Sequence, residues 1–218
     1  MQIQFKYNLK EDIVNFHIAA ASLGHGGQPS RQQLLYQQTF GEKLEDDLLA
    51  KFINNYLELN KINPERQIKK FQADCDLVRD KFFRRAEKIF NIKLPVDLII
   101  AYLTANDRCG YSIKDNLFFV SINANQPKRV AMHELWHFYT WYAFGEGLGK
   151  GLDKKQYYNI KESLTEILNI ECLDLMEGQD KGNIEHIEIR NLVRKLWLEE
   201  KDLGKVIEKL VFDLYGIK

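Results

Sequence analysis

The chain has 218 residues, of which 45% are hydrophobic and 12% aromatic, enough to bury a sizeable core in one compact unit without disulfides. Its 31 basic and 31 acidic residues give a formal net charge of zero, which argues against nucleic acid or a membrane surface as a partner. No signal-peptide stretch or membrane-spanning apolar run is present, and we expect a cytoplasmic protein. The three cysteines, Cys75, Cys109 and Cys172, lie far apart and are expected to be reduced.

Helical periodicity dominates the first part of the chain. Apolar residues at three- and four-residue steps predict one amphipathic helix over residues 42–59 and another from Pro64 to about Phe90, with the proline in its first turn. Residues 1–31 lack a clear period and are interpreted as a short helix or an extended arm followed by a loop. We therefore treat residues 1–93 as an N-terminal helical region that serves as a cap, as an inhibitory segment or as part of the core.

The pattern changes after Pro95. Residues 96–103 and residues 117–122 are rich in β-branched and aromatic side chains and predict two strands. The run 128–144 then has the length and composition of a buried helix, which Gly145 is expected to end as a C-terminal cap.

The remainder of the chain is again helical. A glycine-rich loop is expected at residues 145–151, and Asp153 then caps a helix that reaches about Met176. Residues 184–215 predict two further amphipathic helices, with a break near Gly204.

The predicted helix 128–144 contains the sequence His-Glu-Leu-Trp-His. His133 and His137 are one turn apart and project from one face, close enough to bind a single metal ion. Glu134 is turned about 100° from the first histidine, so it can reach a metal-bound water without binding the metal itself. Because the surrounding helix is apolar nearly all round, these polar groups need a buried partner, and a metal ion supplies it.

A catalytic zinc site also needs a third protein ligand and an open position for water. The metzincin pattern HExxHxxGxxH is excluded, because Thr140 and Ala143 occupy its glycine and last histidine positions. The other route takes a carboxylate from the next helix, where Glu162 and Glu166 lie four residues apart on one face.

HELWH, followed after 24 intervening residues by ESLTE, resembles the gluzincin arrangement, in which HExxH is followed on the next helix by Glu-x-x-x-Asp/Glu. The resemblance covers about residues 94–176. It implies a zinc-dependent metallopeptidase in which Glu162 is the third zinc ligand and Glu166 orients a ligating histidine. It also implies that a peptide or protein substrate pairs with an edge strand near residues 117–122.

The fold that this resemblance implies is of the α+β class. It is a predominantly helical, zincin-like fold with a small β-sheet before the active-site helix, flanked by N-terminal and C-terminal helices. Residues 94–218 would form the metallopeptidase region, and we expect its peptide or protein substrate as the partner, with no nucleic acid and no membrane.

The same resemblance implies a mechanism. Zn²⁺ would activate a water and polarise the scissile carbonyl, while Glu134 would act as the general base and pass the proton to the leaving amine. The developing oxyanion would need a further donor, for which Tyr157, Tyr158 and His186 are the candidates.

Three alternatives stay open from the sequence. One is a regulatory metallopeptidase that cuts a single protein partner. Another is a zincin-fold regulatory or binding protein with little or no turnover, since the bulk of Trp136, Phe138 and Tyr139 could block a cleft. The third is a helical interaction protein in which HExxH is accidental. No feature of the sequence sets the oligomeric state.

Overall fold

The computed structural model describes residues 1–21 and 28–217. The chain divides into two compact units, Met1–Leu77 with Val96–Pro127, and Val78–Pro95 with Lys128–Lys218. This division does not follow the boundary expected between residues 93 and 94, because the first unit takes residues from both sides of it. The described part is mostly helical with a small mixed sheet, as expected for an α+β protein. Within that part, no helix is both long enough and apolar enough to cross a bilayer.

The sheet lies in the first unit. Over the described residues it has four strands, in the order β1-β2-β4-β3, and the first three in that order run parallel. Their bounds are β1 Gln2–Tyr7, β2 Leu98–Thr104, β3 Tyr111–Ser112 and β4 Leu117–Ser121. Strands β2 and β4 confirm the two predicted strands. Strand β1 was not predicted, because its alternation is short and only its pairing with β2 identifies it.

Strand β4 does not lie at the edge of this sheet. It pairs with β2 on one side, and on the other side β3 pairs with Leu117 and Phe118. The backbone N–H of Phe119 also donates to the carbonyl of Gly110, at 2.9 Å. The expectation of an edge strand near residues 117–122 is therefore corrected: the turn after β2 folds back and occupies the hydrogen-bonding groups of residues 117–119 that an added peptide would use.

The first unit also contains four helices, of which the first and the fourth pack on the sheet. They are α1 Leu9–Ala21, α2 Arg31–Phe40, α3 Asp46–Leu59 and α4 Pro64–Asp76. Helix α3 confirms the helix predicted over residues 42–59, and Pro64 does stand in the first turn of α4, capped by the Asn63 side chain. Helix α4 packs on β1, where the rings of Phe71 and Phe5 meet edge to face at 6.1 Å.

A buried polar cluster joins α1 to the end of β2. The Asp12 carboxylate accepts hydrogen bonds from the Thr104 hydroxyl, at 2.5 Å, and from the Ala105 N–H, at 3.0 Å. Asn15, one turn on, donates to Thr104 Oγ1 and to the Arg108 carbonyl. All the residues of this cluster belong to the first unit, so its hydrogen bonds fix how α1 lies against the sheet.

The second unit is helical over its described residues. It contains α5 Arg79–Phe90, α6 Pro127–Thr140 from Lys128 onward, α7 Glu146–Gly151, α8 Lys154–Leu164, α9 Glu166–Glu171, α10 Ile187–Glu200 and α11 Leu203–Tyr215. The single helix predicted from Pro64 to Phe90 is thus two helices, α4 and α5, which belong to different units. The periodicity of the sequence continues through the break and so hides it.

The helical segment that begins with α6 does not end at Gly145. The chain continues as a π-helical turn over Trp141–Gly145 and then as α7, so the glycine-rich loop expected at residues 145–151 is helical. Gly145 itself has helical angles, φ −58° and ψ −40°. Glycine suits this position because of the space it leaves: a Cβ there would lie 2.7 Å from the ring of Trp141.

The C-terminal elements match their prediction with shifted ends. Asp153 caps α8 through a reciprocal pair of hydrogen bonds with Gln156, as its position predicts. The helix expected to reach Met176 is divided into α8 and α9 at Thr165. The last two helices are separated at Lys201, which has a left-handed φ of 50°, while Gly204 lies inside α11.

Candidate metal centre

Helix α6 brings its two histidines together as the four-residue spacing predicts. The Nε2 atoms of His133 and His137 lie 3.1 Å apart, and the two rings meet edge to face. His137 is buried, whereas the side chain of His133 keeps 20% of its surface exposed. The rings of Trp136 and Tyr139 are buried and lie 4.8 Å and 5.3 Å from that of Phe90. These two bulky side chains are therefore part of the core.

Helix α8 supplies the third group. The two carboxylate oxygens of Glu162 each lie 3.4 Å from a histidine Nε2, one from His133 and the other from His137. Among the described residues, these three form one group whose ligand atoms all lie within 4.8 Å of one another. In a tetrahedral zinc site with bonds of about 2.0–2.1 Å, neighbouring ligand atoms are about 3.3 Å apart. The two histidine nitrogens are 3.1 Å apart, and each lies 3.4 Å from a Glu162 oxygen, so these pairs have about that spacing; the two histidines face different oxygens of the carboxylate.

The electrostatics of the three groups also suit a cation. Burial lowers the pKa of His137, and the charge of Lys161 lowers it further, which favours the neutral imidazole that can bind a metal. Burial by itself raises the pKa of Glu162, but the positive groups beside it, among them Lys161 and the hydrogen-bonded His133, outweigh burial and keep the carboxylate ionised. One neutral imidazole and one carboxylate are therefore already in the protonation state that a metal requires.

Glu134 is the buried acid next to the first histidine. Burial raises its pKa to about 8; the charge of His133 opposes this rise and that of Glu162 adds to it. A carboxyl group with such a pKa can take up and give back a proton near neutral pH.

The carboxylate that orients a histidine is Asp180, and not Glu166. Asp180 Oδ2 lies 3.1 Å from His133 Nδ1, so this ring nitrogen donates to the carboxylate and Nε2 faces Glu162. Burial by itself lowers the pKa of His133, but Asp180 outweighs burial and raises it well above its usual range. Asp180 lies between α9 and α10, outside any spaced motif, and the sequence carries no signal for this role.

Glu166 lies elsewhere because the helix breaks between the two glutamates. Thr165 donates its hydroxyl to the carbonyl of Glu162, at 2.7 Å, and α9 begins at the next residue. Glu166 then pairs with two arginines of α10, Arg190 at 2.8 Å and Arg194. The expectation that Glu162 and Glu166 share one face assumed a continuous helix, and it fails at this break.

Lys161 is a second group that the sequence did not single out. Its buried ammonium contacts Glu162 Oε1 and lies 4.9 Å from the centre of the Tyr158 ring. A lysine beside a glutamate on a helix is ordinarily solvent-exposed, so only its burial draws attention to it.

The three candidate oxyanion donors take different places. Tyr158 accepts a hydrogen bond from Asn183 at its hydroxyl, and its ring packs on His186 at 5.3 Å. His186 is buried, with Nε2 3.2 Å from Asn159 Oδ1. Tyr157 packs against Trp141. Of the three, Tyr158 has a described link to the metal-binding group, through Lys161.

No family model, no curated protein and no solved structure matches this chain. Its function is therefore inferred from the residues and the geometry of this site.

Proposed function

We propose that this protein is a zinc-dependent metallopeptidase of the gluzincin type. The observation that carries the proposal is the convergence of His133, His137 and Glu162, whose ligand atoms all lie within 4.8 Å of one another and are of the types that zinc binds. Three protein ligands leave one position of the tetrahedron open, which is the composition of a catalytic rather than a structural zinc site. The partial exposure of His133 gives that position access to solvent.

Each residue then has a defined task. Zinc, when bound, supplies a Lewis acid and a water that ionises near neutral pH. Glu134 accepts a proton as general base and returns it to the leaving amine of the cleaved peptide bond. Asp180 holds His133 in the tautomer that leaves Nε2 for the metal. Lys161, which contacts Glu162, and Tyr158, which packs against Lys161, are the groups we assign to stabilise a developing negative charge.

The same proposal covers the fold, the substrate and the location. A zincin-like fold fits a helix with HExxH followed by a helix with the third ligand, as in α6 and α8. The substrate would be a peptide or protein, bound elsewhere than along the paired part of β4. None of Cys75, Cys109 and Cys172 forms a disulfide in the described part of the chain, which suits the cytoplasm.

Metal analysis tests the ligand set first. Protein prepared with zinc should hold about one zinc per chain, and His137→Ala and Glu162→Ala should each lose it. His17→Ala and Glu188→Ala, at exposed positions, are the matched controls and should keep it. A wild-type chain that binds no zinc would overturn the proposal and leave an accidental HExxH in a helical interaction protein.

Turnover is tested on the zinc-loaded protein. Glu134→Gln should keep its zinc but lose hydrolysis of a mixed peptide library, because the amide cannot accept a proton. If the wild type binds zinc and cuts neither peptides nor unfolded proteins, a zincin-fold binding protein is the better description. Cleavage of a single protein and of no library peptide would indicate a regulatory peptidase.

A further inference from the structure

Arg190 is a buried arginine at the break between α8 and α9. Only 4% of its surface is exposed. Its Nη1 donates to Thr165 Oγ1, at 2.6 Å, and to the carbonyl of Glu162, at 3.4 Å. This carbonyl lies at the C-terminal end of α8, where a positive charge is favourable. The guanidinium thus holds the backbone of the third candidate ligand.

The same guanidinium holds the segment that carries Asp180. Its Nη2 donates to the Asp180 carbonyl, at 2.5 Å, and Nη1 lies 3.5 Å from Asp180 Oδ2. Asn169 completes the attachment, because its side chain bonds both the N–H and the carbonyl of Asp180, at 2.7 and 2.8 Å. Asp180 is therefore held at its backbone and at its carboxylate by groups other than His133.

We propose that Arg190 is a positioning residue of the metal centre, which sets the places of His133 and Glu162 together. It acts on His133 through Asp180 and on Glu162 through the end of α8. The inference rests on the proposed zinc site and adds a group that touches neither the metal nor the substrate. The planar fork of arginine can bond two segments at once, which a lysine cannot do in the same way.

The close approach of Gly182 is independent evidence that the surrounding structure fixes the position of this guanidinium. A Cβ at Gly182 would lie 2.7 Å from Arg190 Nη1 and 2.9 Å from Cζ. The residue also has a φ of +60°, which favours glycine. The loop after Asp180 thus closes directly over the guanidinium, and a side chain there would displace it.

Zinc affinity, measured by competition with a chelator, tests the proposal. Support groups of this kind typically change metal affinity by about 10–100-fold, so Arg190→Met and Arg190→Lys should each weaken zinc binding by that factor. Arg194→Met is the matched control: it also removes a cation from Glu166, but Arg194 is 42% exposed and bonds neither Asp180 nor the end of α8 in any described contact. It should change the affinity by less than about fivefold.

Gly182→Ala separates positioning from the loss of a buried charge. It keeps Arg190 but pushes the guanidinium aside, so zinc should again bind more weakly. In the Arg190→Met background the added methyl group meets no guanidinium, so the part of its effect that comes from this contact should disappear and only the part that comes from the positive φ should remain. Cobalt bound to each variant gives a second reading, because its visible spectrum reports a change of coordination geometry that a purely structural role would not produce.

The outcomes are distinguishable. A wild type that binds no zinc overturns this inference and the proposed function together. Zinc bound equally well by the wild type, Arg190→Met and Gly182→Ala overturns the inference alone. Equal losses in Arg190→Met and Arg194→Met would also overturn it, since any cation near Glu166 would then serve. If Arg190→Met does not fold without metal, as judged by circular dichroism, Gly182→Ala and Arg190→Lys decide.

Discussion

Replacing Asp12 by asparagine should remove a pH dependence from the stability of the first unit. Burial raises the pKa of Asp12 to about 6 from an ordinary value of 3.8, although hydrogen bonds from Thr104 and Ala105 work in the opposite direction. The folded state therefore binds the proton more tightly than the unfolded state. The resulting stabilisation is fully present below pH 3.8 and is lost as the pH rises through about 6.

The size of the effect follows from the two pKa values. At about 1.4 kcal/mol per pKa unit, the ionisation of Asp12 should cost the wild type about 3 kcal/mol between acid and neutral pH. Asparagine is neutral at all these pH values and has nearly the same shape. The variant should therefore gain about 2–3 kcal/mol relative to the wild type between pH 4 and pH 8, most of it below pH 7.

The assay is urea unfolding followed by far-UV circular dichroism, at several pH values and with a chelator present. All three tryptophans, Trp136, Trp141 and Trp197, lie in the second unit, so fluorescence would not report on the first. Asp47→Asn, at an exposed position of the first unit, is the matched control and should show a change of less than about 1 kcal/mol. If the wild type gains stability over Asp12→Asn as the pH rises, the hydrogen bonds outweigh burial and the reasoning is wrong.

Three further predictions concern the metal centre and one helix end. Asp180→Asn should weaken zinc binding by about 10–100-fold in a chelator competition, because the amide no longer fixes the tautomer of His133; an unchanged affinity would contradict this role. Lys161→Met should tighten zinc binding by about tenfold or more, since it removes a positive charge from Glu162; weaker binding would mean that the ammonium holds this carboxylate in place. Asn63→Ala should lower the free energy of unfolding by about 1 kcal/mol, because its side chain caps α4, and no loss in thermal unfolding would refute the cap.

Much of the local structure could be predicted because its causes lie close together in the sequence. Helix α3 follows from apolar residues at helical spacing, and the starts of α4 and α8 follow from Pro64 and from Asp153 with Gln156. Strand β4 follows from a short run of aromatic and β-branched residues.

The local pattern misleads where a particular contact overrides the preference of a single residue. Gly145 looked like a helix cap, but the Trp141 ring uses the space beside it and the helix continues. The pairing of β1 with β2 joins residues 96 positions apart, such as Gln2 and Leu98, which no local pattern records. The break between α8 and α9 depends on Thr165 and on an arginine from α10.

The sequence by itself determined the pair His133 and His137, because a four-residue step on one helix sets the distance between two side chains. It also pointed to Glu162 through the spacing of the next helix. Only the tertiary structure decided which carboxylate supports His133. Asp180 reaches that ring from a loop held by Arg190, and Glu166 is turned to the arginines of α10. Such contacts depend on how helices pack, and the order of residues along one helix does not encode them.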